Sequence, residues 1–183
     1  MKSLKTIQTL SKVGMILSKI AFIFSVIGFC GCVVGLVGLG FGGGNVLKIG
    51  GVTLHGLISE NLGGDGSVAA ALSGWLFVCA GEAVLAKFSE ICFKNELKAE
   101  TPFTFGFAKE MMRLGIMTLA IPTGCAVLGS VAEGIVAGFA NVQKVAAMDI
   151  YFDNAASIVL GVMFIFVSFL CRYGAELAQN KDV

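Results

Sequence analysis

An ionisable side chain inside an otherwise apolar stretch is where chemistry would begin in this sequence, and Glu82 is the clearest case. It stands within the apolar run 67–88, where a charge is costly in lipid and marks function by default. Glu82 lies six residues from the charged end of that run, about 9 Å at the helical rise. A carboxylate at that depth serves either a proton or ion pathway or an ion pair with Arg113, which falls at a comparable depth on the next run. Pro122, at the middle of that next run, frees a backbone carbonyl of the kind that lines permeation paths.

The other reactive residue types point to less. Cys30, Cys32, Cys79 and Cys125 share one depth, and soft thiolates would suit Cu(I) or Zn. Cysteine is also among the commonest small buried residues, and no histidine joins these four in the apolar runs. No C-x-x-C pair occurs among the six cysteines, so neither a redox pair nor a zinc ribbon is read here. His55 is the single histidine and has no Ser or Asp constellation beside it, so no general-base triad can be assembled. The glycine-rich run 38–44 lacks the Lys-Ser/Thr ending of a phosphate loop. The expectation is a protein without catalytic residues, cofactor or metal.

Composition says what must position these residues. Of 183 residues 56% are hydrophobic and 14% charged, and the mean hydropathy is +0.89. Soluble domains carry about a quarter charged residues, so much of this surface has lipid as its solvent. A net charge of +1 and the absence of a basic cluster interleaved with aromatics leave no footprint for nucleic acid. A spanning helix needs about 20 mostly apolar residues. Four segments qualify: 20–41, 67–88, 114–132 and 155–171. The fold class is all-α membrane: a single four-transmembrane-helix bundle over 1–183 with a small extracellular hairpin and a cytoplasmic helix-turn-helix elbow.

Orientation follows from the basic residues, because short loops rich in Lys and Arg stay in the cytoplasm. Lys2, Lys5, Lys12, Lys19, Lys87, Lys94, Lys98, Lys109, Arg113, Arg172 and Lys181 fall on one side, and only Lys48 and Lys144 on the other. This places both termini inside a cell membrane crossed several times. A cleaved signal peptide would need an apolar core of 7–15 residues, shorter than the uncharged stretch 20–47. Leu4, Ile7, Leu10, Val13 and Leu17 recur at helical spacing, so the basic lead reads as a helix lying on, or continuing into, the inner membrane face.

In lipid, helices associate through small residues that let backbones approach. Gly28, Gly31, Gly35 and Gly38 form such a face on the first span, suited to packing inside the bundle or to dimerisation. Ala70 with Gly74 and Ser157 with Gly161 repeat the spacing. Between the first two spans, two β-prone runs flank Gly50-Gly51, a two-residue hairpin signal. A short helix is expected near 57–61.

Residues 88–116 read as a helix, a stop at Thr101-Pro102 and a second helix. Phe88, Ile91, Pro102, Phe103, Thr104, Leu114, Gly115 and Ile116 are arranged as in the domain-of-unknown-function 2975 family of prokaryotic membrane proteins, which this segment resembles. Ala99-Glu100-Thr101 stands where that family has a glycine before Pro-Phe-Thr. The resemblance implies four helices in a bacterial cell membrane and no reaction. The function expected is therefore a non-enzymatic accessory or interaction protein, its partners being the lipid bilayer and either a membrane protein or a second copy. The alternative is a small transporter or permeation component using Glu82.

Overall fold

A computed structural model of the protein describes residues 2–40, 48–49, 52–53, 65–99, 103–140 and 154–179. They form α1 (Lys2–Gly40), β1 (Lys48–Ile49), β2 (Val52–Thr53), α2 (Asp65–Ala99), α3 (Phe105–Ala140) and α4 (Asn154–Gln179). All four helices are long and apolar enough to cross a membrane. Each is longer than the span read from its apolar run. At 39, 35 and 36 residues, α1, α2 and α3 reach about 52–58 Å, against about 30 Å for a hydrocarbon core. Most of the excess is charged helix, which hydropathy alone ends too early, and in α3 it also includes the uncharged residues 134–140.

The basic lead is one with the first span, since α1 runs unbroken from Lys2 to Gly40. Its apolar stripe, however, is on the outside. Leu10 is 71% exposed and Leu17 59% exposed, while Ser11 and Ser18 are buried. Ser11, Ser18, Ser25 and Cys32, all buried, recur every seven residues, the period that keeps a straight seam on a partner helix. Small polar groups inward and large apolar groups outward is the arrangement lipid selects, because only the small residues allow close helix approach. The hydroxyl of Ser18 costs nothing there, since it donates to the Gly14 carbonyl one turn back at 2.9 Å.

The chain divides into two compact units. The first joins 1–24, 82–122 and 153–183, and the second joins 25–81 and 123–152. In the first unit α1 lies along α2, where a Cβ on Gly14 would meet the Phe93 ring at 3.0 Å. Its core is Cys92 of α2, Phe107, Ala108, Met111 and Leu114 of α3, and Cys171 of α4, with Leu85, Phe88, Phe164 and Val167 packed on it. α3 and α4 approach closely enough for backbone to meet backbone. A Cβ on Gly115 would lie 2.8 Å from the Gly161 carbonyl oxygen, and one on Gly161 would lie 2.6 Å from Leu119 Cγ. Thr104 begins α3 as its cap: its hydroxyl accepts from the Phe107 N–H at 3.1 Å and its carbonyl from the Ala108 N–H at 3.0 Å.

In the second unit α1 again faces α2. A Cβ on Gly28 would touch Cys79 Sγ at 3.0 Å, and Cys32 and Cys79 are buried together with their thiols hydrogen-bonded. Ser67, Val68, Ala70, Ala71 and Val78 are buried along α2, and Gly74 with them. The strands pair antiparallel, with Lys48 opposite Thr53 and Ile49 opposite Val52, the register expected of a connection through Gly50-Gly51. The helix expected near 57–61, the turn at Thr101-Pro102 and the segment 141–153 lie outside the described residues.

Candidate functional site

The charged ends of α1 and α2 and the start of α3 bring together polar side chains that share one feature: each carboxyl is held by a neighbour on another helix. Ser11 of α1 donates to Glu96 Oε2 of α2 at 2.7 Å, and both residues are buried. On the preceding residue, Asn95 Nδ2 donates to Glu110 Oε1 of α3 at 2.8 Å. The second Glu110 oxygen, Oε2, is buried without a hydrogen-bond partner. Cys92 approaches Met111 Sδ at 3.8 Å and is close enough to Glu96 and Glu110 to feel both electrostatically. On the far side of α3, Ser168 of α4 donates to the Ala108 carbonyl at 2.6 Å. A hydrogen bond to a charged group contributes about 1.5–3 kcal/mol, and leaving one partner unmade costs a similar amount. These pairs therefore fix the helix register at this end.

At the border of the apolar stretch, Glu90 of α2 collects two amines. Lys87 Nζ lies 2.9 Å from Oε2 and Lys19 Nζ 3.8 Å from Oε1, and the Lys87 amine also sits 5.4 Å from the centre of the Phe22 ring. Further along, Arg172 and Glu176 pair at 3.3 Å on the surface of α4.

The residues singled out in the sequence are distributed differently. Glu82 is exposed on α2 while engaging a neighbour within the chain. Arg113 is exposed on α3. Pro122 is buried inside α3, where its missing N–H removes the helical donor to the Thr118 carbonyl. Of the glycine face on α1, Gly28 meets Cys79, Gly35 and Gly38 are buried, and Gly31 is exposed with no atom within 4 Å of its would-be Cβ. Of these four glycines, only Gly31 stands off the packed side of α1. The six cysteines are free, and among the described residues no group of three or more His, Cys, Asp or Glu is placed to hold a metal ion.

Two features escaped the sequence reading. Glu133 is buried in α3 just past the end assigned to the third span, and the Ser11–Glu96 and Asn95–Glu110 pairs join residues 85 and 15 positions apart. The first could have been flagged as a lone carboxylate between apolar runs. The second had no local signal, since a serine on a basic amphipathic segment looks solvated until its neighbour is known.

Comparison of the chain with protein-family models, with curated proteins and with solved structures finds no match in any of the three.

Proposed function

We propose that this chain is a non-catalytic multi-pass protein of a prokaryotic cell membrane, with both termini in the cytoplasm, that acts by contact with another membrane protein or with a second copy of itself. The observation that carries the reading is the exposure of Glu82. It is five residues further into the apolar stretch than Lys87, about 7.5 Å along the helix. A carboxyl on the exposed face of a membrane helix is costly even when a neighbour in the same chain engages it, and a second protein covering that face lowers the cost. The orientation is supported by the distribution of Lys and Arg, and the bacterial membrane by the resemblance of residues 88–116 to the domain-of-unknown-function 2975 family.

The test is a photoreactive phenylalanine analogue placed at position 82 of the full chain, activated in native membranes, with the adducts identified by mass spectrometry. A defined protein adduct, to a partner or to the chain itself, supports the reading. Adducts to lipid alone would overturn it.

A second reading, a permeation component, draws on Pro122. Pro122 is buried inside α3 and removes the helical donor to the Thr118 carbonyl, a group that a polar path could use. Proton or cation flux into liposomes that is lost in Glu82→Gln and in Pro122→Ala would favour this reading over the first.

A further inference from the structure

The geometry points to a binding site for an anionic phospholipid headgroup at the Lys19–Lys87 pair, where α1 and α2 leave the apolar stretch. Lys19 is the last charge before the uncharged run 20–47, and Lys87 closes the apolar run of α2. Two helices thus present amines at the level where a bilayer's phosphates lie.

The two amines are held in place before any ligand arrives. Both converge on the one Glu90 carboxylate, at 2.9 Å and 3.8 Å on its two oxygens, and Lys87 is further fixed by the Phe22 face at 5.4 Å. Lys94 is close enough to act on the same carboxylate and is exposed. Three ammonium groups against one carboxylate leave a local excess of positive charge. The lysine side chains are about half exposed, at 53% and 52%, whereas the Glu90 side chain is only 12% exposed. The acid is therefore tucked beneath the amines, and the face offered outward is cationic.

What surrounds the site selects a lipid as the occupant. Ile20, Ile23 and Phe24 of α1 and Val84 of α2, on the apolar side of the two lysines, are exposed large apolar residues, all in the same unit as the lysines. A phosphate seated on the amines would have its acyl chains against this surface. Basic pockets between helices at the cytoplasmic side bind anionic lipid headgroups on these grounds.

The test uses the full chain reconstituted in phosphatidylcholine vesicles doped with phosphatidylglycerol, with retained lipid counted by native mass spectrometry after gentle release. Each lysine near the surface contributes about fivefold in preference for anionic lipid. Lys19→Gln with Lys87→Gln should lower phosphatidylglycerol retention by roughly tenfold or more, and Glu90→Gln, which removes the opposing charge, should raise it. The two arms move in opposite directions, so a general loss of fold cannot imitate the result, and the Glu90→Gln arm stands if the double variant does not fold. Wild-type retention in the double variant would overturn the assignment. So would equal retention of phosphatidylcholine, or displacement of the lipid by inorganic phosphate alone.

Discussion

Adding one methyl group at Gly115 tests the helix packing most sharply. A Cβ there would lie 2.7 Å from Ile165 Cγ1, 2.8 Å from the Gly161 oxygen and 3.0 Å from the Ile165 nitrogen, whereas ordinary contact begins at 3.4 Å. Two of these three atoms are backbone, so no rotamer change relieves them, and α3 and α4 must separate locally by about 0.6 Å, the difference between 3.4 and 2.8 Å. A gap of 0.5–1 Å forfeits a quarter to a half of each dispersion contact across a seam. With roughly 40 atom pairs at 0.1–0.2 kcal/mol each, the loss is about 1.5–3 kcal/mol, within the range for overpacked sites. Alanine returns up to about 1 kcal/mol in helix propensity, leaving a net cost of about 1–2 kcal/mol for Gly115→Ala. The unfolding constant should rise by roughly fivefold to thirtyfold, since 1.4 kcal/mol is tenfold. Far-UV circular dichroism during titration of mixed micelles with dodecyl sulfate measures it. Gly31→Ala is the matched control: its Cβ meets nothing within 4 Å, and it should be neutral or slightly stabilising. Gly115→Ala as stable as wild type, or Gly31→Ala equally damaging, would refute the reasoning.

Three other outcomes are expected. Ser11→Ala strands the buried Glu96 oxygen and should cost about 1–3 kcal/mol, whereas Glu96→Gln keeps an acceptor for the same hydroxyl and should cost less; the order of the two in the dodecyl sulfate titration is the check. Thr104→Ala removes the α3 cap and should cost about 1 kcal/mol, largely restored by Thr104→Ser, with amide exchange at Phe107 rising in the alanine variant alone. Reporter fusions at Gly64 and Ala140 should both read non-cytoplasmic and a fusion at Val183 cytoplasmic; a cytoplasmic signal at either of the first two would overturn the proposed orientation.

Phe103 and Gly174 illustrate how far such arguments extend. A Cβ on Gly174 would come within 2.4 Å of Phe103 Cδ1, yet Phe103 is 51% exposed and its ring can swing away. Gly174→Ala should therefore be nearly neutral despite the shorter contact, because the neighbour is a mobile side chain, whereas Gly115 and Gly161 meet backbone or a packed leucine. Which atom is met matters more than how closely.

The sequence by itself determined that lipid is the solvent and that four helices cross it, because a charge deficit and long uncharged runs admit no other way to satisfy backbone hydrogen bonds in hydrocarbon. The antiparallel pairing of Lys48-Ile49 with Val52-Thr53 was legible too, since β-prone runs on either side of two glycines invite it. Only the tertiary structure decided which face of each helix is inside. Hydropathy marks the lead stripe of Leu10, Val13 and Leu17 as the buried side of a soluble helix, but it faces outward while Ser11 and Ser18 are buried, their hydroxyls donating to the Glu96 carboxyl and the Gly14 carbonyl. Packing likewise left Gly31 on the surface and put Gly115 and Gly161 where α3 meets α4. Partners 85 residues apart, such as Ser11 and Glu96, are set by how helices pair, and no local pattern in the chain encodes that.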